Sequence, residues 1–401
     1  MKLDIAICGC GPAGLATALL LHRQGHRVVL FERFDVARPV GSGLILQPTG
    51  LGVLAELGLT DHIIKRGARI DRLLGKVVPS DRTVLDVRYS DLGAGWHGVA
   101  VHRASLFEVL HSAASLQIEM VLNKTISGME AGSKAHLLSH DQRVGSFDLI
   151  VDCMGANSPL PGKDTKRKAL SFGALWTNVQ IDGCDDVQHN VLEQRYIQSS
   201  HMTGILPIGK LANSDGSLSA VFWSLKRDRL EHWRRSGLEV WKQEVSSLWP
   251  MAGKLLASIT SIDEVTFSQY DHFTLKYPCG NRLVHIGDAA HATSPQLGQG
   301  ANMALLDALA LSYALETNSG LDDALHQYAS MRRWHVRLFQ TMSLLFTPMY
   351  QSDSRVLPLV RDWLAAPLIR LPLINQLLAR LVAGLTVQPL RGRAFKPYRA
   401  Q

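Results

Sequence analysis

Two glycine-rich segments, nearly a whole chain apart, constrain this fold more than anything between them. The first is Gly9-Cys10-Gly11-Pro12-Ala13-Gly14, which follows the apolar run Ile5-Ala6-Ile7 and opens a helix-like stretch from Ala13 to His22. A strand, a tight glycine turn and a helix N-terminus make an anion site. Gly9 permits the turn, Gly11 lets backbone approach a pyrophosphate, and Gly14 allows close helix–strand packing. The run Arg27-Val28-Val29-Leu30-Phe31 reads as a second parallel strand ending in Glu32. That carboxylate falls about 20 residues past the turn, where it can accept hydrogen bonds from ribose hydroxyls. In a chain with 33 glycines the pattern alone is weak. The strand before it, the helix after it and the placement of Glu32 make it a dinucleotide turn. It does not separate NAD from FAD.

The second segment is Gly287-Asp288-Ala289-Ala290-His291, followed by Pro295-Gln296-Leu297-Gly298-Gln299-Gly300-Ala301-Asn302. Leu283 to Ile286 reads as a short buried strand that delivers Asp288 to a loop, where a carboxylate suits a sugar-alcohol hydroxyl such as those of a flavin's ribityl chain. Gly298 and Gly300 remove side chains, so that backbone N–H groups can approach a flat ligand. Asn302 to Leu315 follows as an almost wholly apolar helix, interrupted mainly by Asp307 and Ser312, and is expected to be buried. Its N-terminus carries partial positive charge, which at a flavin's N1/C2 carbonyl edge would stabilise the anionic reduced ring. An ordinary glycine-rich turn before a core helix would look similar locally. The first segment, which independently demands a dinucleotide, favours FAD.

The run from Gly287 to Asn302 strongly resembles the FAD-binding signature of the single-component (class A) flavin monooxygenases, the para-hydroxybenzoate hydroxylase-like family that includes the ubiquinone-biosynthesis hydroxylases. Gly9 to Gly14, Glu32-Arg33, Gly41-Ser42-Gly43-Leu44 and Val101-His102-Arg103 match that family's amino-terminal pattern, and the similarity spans roughly residues 3 to 330. The resemblance implies that FAD is held by Gly9, Gly11, Pro12, Ala13, Gly14, Glu32, Arg33, Gly43, Arg103, Asp288, Pro295, Gly298, Gly300, Ala301 and Asn302. Arg103 would contact the FAD, and Asp288 its pyrophosphate–ribityl region. It also implies the reaction: NAD(P)H reduces FAD, O2 adds to give a C4a-hydroperoxyflavin, and the terminal oxygen hydroxylates or epoxidises an electron-rich substrate. One departure stands out. The family's Asp-Gly pair after a central strand supports FAD and the nicotinamide donor, whereas here Asp148-Leu149-Ile150-Val151-Asp152-Cys153-Met154-Gly155 places Met154 where the Asp is expected. A thioether cannot accept the hydrogen bonds of a carboxylate, so direct use of NAD(P)H is put in question more than flavin binding.

The expected fold is α/β: a Rossmann-like FAD-binding domain, an inserted β-sheet substrate domain and a helical C-terminal region. The expected boundaries are FAD-binding parts at 1–70, 101–165 and 281–330, substrate-domain strands at 71–100, a β-rich substrate domain at 166–280 and a basic helical region at 331–401. Substrate would lie between the Gly298–Asn302 loop and the inserted sheet, with Pro295 beside the reacting face. Tyr196, Phe222, Trp223 and Pro207-Ile208-Gly209 are candidates for its wall, and aromatic core packing explains each of them equally well. His201 and His291 read as structural histidines, and no catalytic base is named. The aromatic-rich sheet and apolar tail lean towards a lipophilic aromatic, quinone-like or polycyclic substrate.

Charge separates the tail from the rest. Residues 331–401 hold eleven Lys and Arg against two acidic residues, a net +9, while the remainder of the +7 chain nets −2. Arginines punctuate the apolar stretch from Arg361 to Arg380, so no uncharged run approaches the ~20 residues of a membrane span. Such a segment suits either a helical cap on the domain, the favoured reading, or peripheral contact with an anionic membrane. Nucleic acid is a poor fit, because the basic residues form no reading motif. The five cysteines show no C-x-x-C or metal spacing, and no signal peptide fits the N-terminus, so a cytoplasmic enzyme, peripheral to the inner membrane surface at most, is expected. Absence of a second dinucleotide turn, a redox cysteine pair and any Trp-x-Trp demotes disulfide reductases and tryptophan-type halogenases. Three alternatives stay open: a flavin dehydrogenase or reductase, a hydroxylase reduced by a partner or free reduced flavin, and a flavin-fold binding protein without turnover.

Overall fold

Asp4–Cys8, the strand before the glycine turn, is buried on both faces, as a central parallel strand must be. The computed structural model describes residues 1–36, 42–160, 162, 167–211, 216–369 and 371–400, so Gly41 of the amino-terminal pattern and Arg370 of the tail lie outside the described residues. A six-stranded sheet runs in the order Cys279–Gly280, Leu283–His285, Leu149–Asp152, Asp4–Cys8, Arg27–Phe31, Glu119–Val121. Every pairing is parallel except that of the edge strand Cys279–Gly280. Alternation along Asp4–Cys8 sends Ile5 and Ile7 to a helical layer and Ala6 and Cys8 to the opposite side. The helical layer contains α1 (Pro12–Arg23), α2 (Arg103–Ser115) and α3 (Gly300–Thr317). The opposite face is covered by three short antiparallel strands, Gly128–Glu130, Ala135–Ser139 and Gln142–Phe147, through Ala135, Leu137 and Phe147. These strands contain few β-branched residues, which is why the sequence pattern does not flag them.

A seven-stranded sheet gathers strands from two stretches of chain, in the order Thr266–Ser268, Phe172–Gln180, Leu218–Lys226, His201–Gly209, Val191–Ile197, Arg72–Val77, Arg82–Arg88. Its two faces have different partners. Leu175, Ile205, Val221 and Trp223 pack on a helical cover through Trp233, Trp241 and Val245. Met202, Leu206, Ala220 and Phe222 face the other way, towards the first sheet and the C-terminal helices. The strand Gly43–Leu46 joins the two halves: it pairs with Gly98–His102, and Gly43 lies directly against Ile208 and Ala220.

The C-terminal region is helical, led by α4 (Leu321–Tyr350) and followed after shorter turns by α5 (Pro372–Val382). The chain then returns across the first half, where the Tyr398 N–H donates to Pro48 O at 2.8 Å.

Candidate active site

At the glycine turn, backbone crowding explains the residue choice. Gly9 has φ +105°, and a Cβ there would meet Cys153 O at 2.6 Å; a Cβ on Gly14 would meet Gly9 O at 2.0 Å. Gly11 differs, because nothing lies within 4 Å of its Cβ position. Its missing side chain leaves open space at the start of α1, and no side chain caps that helix. The Glu32 carboxylate is held across the turn: one oxygen accepts from Cys10 N–H at 2.8 Å, and the other from Arg33 and Phe34 N–H at 2.9 and 3.2 Å. Burial, and secondarily Glu32, pushes the Cys10 thiol up to about 12, so it serves as a small apolar residue. Arg33 places its guanidinium over the Phe34 ring at 4.7 Å.

Along the same groove, Arg103 is near enough to Asp288 for its charge to act on the carboxyl, although the two are distant in sequence. Asp288 is exposed along the groove, yet protein packed around its carboxyl raises its pKa while His291 and Arg103 oppose the rise. Its Oδ1 lies 4.0 Å from the Cβ position of Gly300, at the start of α3, which also lacks a side-chain cap. The Asn302 side chain ties the loop to the neighbouring strand: Oδ1 accepts from Gln47 N–H at 2.8 Å, while Nδ2 donates to Ile45 O and Gly298 O at 3.1 and 2.9 Å. Beside Gly298, the buried Gln47 Nε2 has no hydrogen-bond partner among the described residues. Two uncapped helix ends, open space at Gly11 and an unpaired buried amide all call for a polar ligand along the groove. This set fits FAD.

The sequence reading missed what holds this loop in place. Asp307, noted only as an interruption in α3, is fully buried and accepts from Gly287 N–H at 2.8 Å, His291 Nε2 at 2.6 Å and Arg332 Nε at 2.7 Å. Burial opposes its charge, but His291 and Arg332 more than compensate and hold the carboxyl far below the usual range. Further along α4, Gln340 Nε2 donates to His291 O at 2.9 Å, Ser343 Oγ accepts from Thr293 Oγ1 at 2.7 Å, and Thr347 Oγ1 shares a 2.6 Å bond with Ser294. His335 contacts Gly384 O at 3.2 Å, and burial, aided by Arg332, lowers its pKa to about 3. From α5, Val382 O accepts from Gln299 Nε2 at 2.6 Å. Only the charge of Asp307 inside an apolar helix hinted at this seam.

The expected substrate wall is divided by the sheet. Phe222 lies on the inner face with its ring 4.8 Å from Trp176, whose indole donates to Tyr270 OH at 3.0 Å. Trp223, one residue on, points to the opposite face and packs among Trp233 and Trp241, so the structure does not bring it to the site. Pro207 pairs with Ser219 on the same strands, two residues from Ile205 of that outer cluster. Tyr196 is on the inner side but near the sheet edge, 5.0 Å from the Tyr350 ring and under the Arg361 guanidinium. Residues not foreseen fill the gap. Phe346 of α4 packs against the Phe222 cluster and also against the cluster of Met303, Phe339 and Leu381 that Leu297 of the Pro295–Asn302 loop joins, and Leu378, Leu381 and Val382 of α5 belong to the same two clusters. His291 is engaged by Asp307, and His201 is exposed beside Trp223. Asp152, two residues before Met154, is fully buried and accepts from Met154 N–H, Ser158 Oγ and His285 Nδ1. It anchors the loop in which Met154 replaces the family's carboxylate. Among the described residues no cluster of His, Cys, Asp and Glu could hold a metal ion.

Known proteins resemble this chain in sequence and in fold. The model of the FAD binding domain family matches residues 2–341. A 3-amino-4-hydroxybenzoate 2-monooxygenase from Streptomyces cremeus is 28% identical over 82% of this chain and 83% of its own. A putative 2-heptyl-3-hydroxy-4(1H)-quinolone synthase from Rhodococcus erythropolis is 26% identical over 84% of this chain and 86% of its own. Klebsiella pneumoniae HpxO, solved with FAD and uric acid, shares the fold with a TM-score of 0.78 at 17% identity, covering 95% of this chain and 97% of its own. The chain belongs to the FAD binding domain family, and it is an FAD-dependent monooxygenase.

Proposed function

We propose that this enzyme oxygenates a lipophilic aromatic or heteroaromatic ring, with FAD lying along the groove from Gly9 to Asn302. Bound FAD would supply the redox and oxygen-activating chemistry; the protein binds, orients and excludes water. Gly9, Gly11 and Gly14 with Glu32 would hold the adenosine half. Arg103 and Asp288 would hold the centre, and the start of α3 would face the flavin ring with its free N–H groups. Pro295 and Leu297 would border the reacting face.

The observation that carries the substrate class is the apolar packing between the inner face of the sheet and the Pro295–Asn302 loop: Phe222 and Trp176 on the sheet, Leu297 on the loop, and Phe346, Leu378 and Leu381 on the C-terminal helices. Relatives act, by their names, on substrates as different as a charged aminohydroxybenzoate and an alkylquinolone, so the wall decides here. A charged phenolic acid would lose its hydration against these apolar residues. The test is incorporation of label from isotopic dioxygen across a panel running from phenolic acids to alkylated bicyclic heterocycles. Turnover confined to the acids defeats the proposal.

A second reading concerns the electron donor. Asp152 is committed to its loop and Met154 supplies no carboxylate, which favours reduction by a partner or free reduced flavin over direct NAD(P)H. Rapid-mixing reduction of the enzyme-bound flavin by NADPH or NADH at a catalytically competent rate would exclude it.

A further inference from the structure

α4 carries large apolar side chains on its exposed face as well as its buried one. Trp334, Leu344 and Leu345 stand at 53%, 49% and 56% exposure, although the buried face already holds Leu325, Met331, Val336 and Phe339 beside Arg332, His335, Gln340, Ser343 and Thr347. The pattern continues beyond the helix, where Trp363, Leu364 and Leu373 are 66–68% exposed. Of the eighteen exposed large hydrophobic residues among those described, eleven fall between Trp334 and Leu377. Isolated exposed leucines are ordinary, but a concentration of this kind marks an interaction surface.

Charge identifies the partner. The two acidic residues of the tail are both neutralised, Asp353 by Lys226 at 2.5 Å and Asp362 by Arg361 at 2.7 Å. Arg333, Arg337, Arg355 and Arg380 are exposed around the apolar residues, and the Arg82 guanidinium lies 3.7 Å above the Trp363 ring. A two-fold contact with a second copy would set this cationic surface against itself. A surface of apolar side chains and arginines, with an indole among them, matches the headgroup boundary of an anionic bilayer. Among the described residues no single helix is long and apolar enough to cross a membrane, although the pair Leu357–Leu368 and Pro372–Val382, bent by 114°, meets the length and composition test together.

We propose that the crest from Trp334 to Leu377 docks the enzyme on an anionic lipid surface. The inner sides of the same elements, through Phe346, Leu378 and Leu381, line the space above the flavin loop. Docking therefore sets that space against the phase in which an apolar substrate dissolves, a purpose that rests on the lipophilic-substrate reading above.

The test is co-sedimentation of the full-length FAD-loaded protein with phosphatidylcholine vesicles, with and without phosphatidylglycerol. Binding to the anionic vesicles should exceed binding to the neutral ones by on the order of tenfold and weaken as salt is raised. The Leu364→Gln/Leu373→Gln variant should lose that binding and keep the wild-type flavin spectrum and melting temperature. Failure of the wild type to bind either vesicle, or equal binding by the variant, overturns the proposal. So does a wild-type dimer that the variant splits without any vesicle binding, since the crest would then be a self-contact. Vesicle binding with turnover confined to phenolic acids would refute the substrate reading and leave the docking intact.

Discussion

α3 and α4 lie side by side but bury different mixtures of side chains. α3 buries thirteen residues that are almost all apolar, with Asp307 as its charged exception. α4 buries a polar seam of Arg332, His335, Gln340, Ser343 and Thr347 among apolar residues such as Leu325, Met331 and Phe339, and also turns leucines outward. The difference follows from what each helix touches. α3 packs on α1 and the sheet, where backbone groups are already paired. α4 packs on α3 and, through its polar seam, on the stretch from Gly287 to Ser294, whose buried backbone groups need partners from outside. A buried face takes up polar side chains where its neighbour has groups left to satisfy.

Several substitutions would break or sharpen this contrast. The largest effect is expected at the apolar contact. Gly14→Val drives a side chain into Gly9 O, and the purified protein should be colourless and take up no added FAD. Its counterpart on the polar side is Asp307→Asn, which leaves Arg332 buried without a counter-charge. A loss of about 3–5 kcal/mol is expected by denaturant unfolding, and a loss below about 1 kcal/mol would show the seam to be incidental. Asp288→Ala touches neither helix interior. It should raise the FAD dissociation constant by roughly 10–100-fold, equivalent to about 1.5–3 kcal/mol for a hydrogen bond to a charged group, while the apoprotein melts as wild type does. Gln340→Leu, which leaves His291 O without its donor, should cost about 1–3 kcal/mol.

The effect smallest near neutrality is one of pH. His335 has its pKa lowered from 6.5 to about 3 in the folded state, so between those values the unfolded chain binds more protons. Stability should therefore be unaffected above neutrality and decline as pH falls from about 6.5 towards 3, by at most about 1.4 kcal/mol per unit for this group. His26, His97, His102 and His272 shift in the same direction, also through burial. Melting temperatures of His335→Gln should fall less steeply than wild type between pH 7 and 5; parallel curves would remove His335 from the account.

The groove was legible because its demands are local. Gly9, Gly14, Glu32 and the strand–turn–helix order are fixed by backbone crowding and a ligand's shape, and each leaves its mark within a few residues of sequence. The substrate wall was not legible. Phe222 and Trp223 are adjacent and equally aromatic, and only the sheet register decides which one faces inward. The C-terminal region was read by its charge and apolarity. Its role against the flavin loop depends on hydrogen bonds such as Gln340 to His291 O, between residues 49 positions apart. No periodicity records such a bond.

The Gln299–Val382 hydrogen bond ties the last helix to the Gly298–Asn302 end of the groove. With FAD placed as proposed, a shortened chain ending before Pro372 would keep the Gly9–Gly14 turn whole while unsealing the end where the flavin ring would sit. Such a protein would be yellow but leaky, admitting water where the oxygen chemistry needs it kept out.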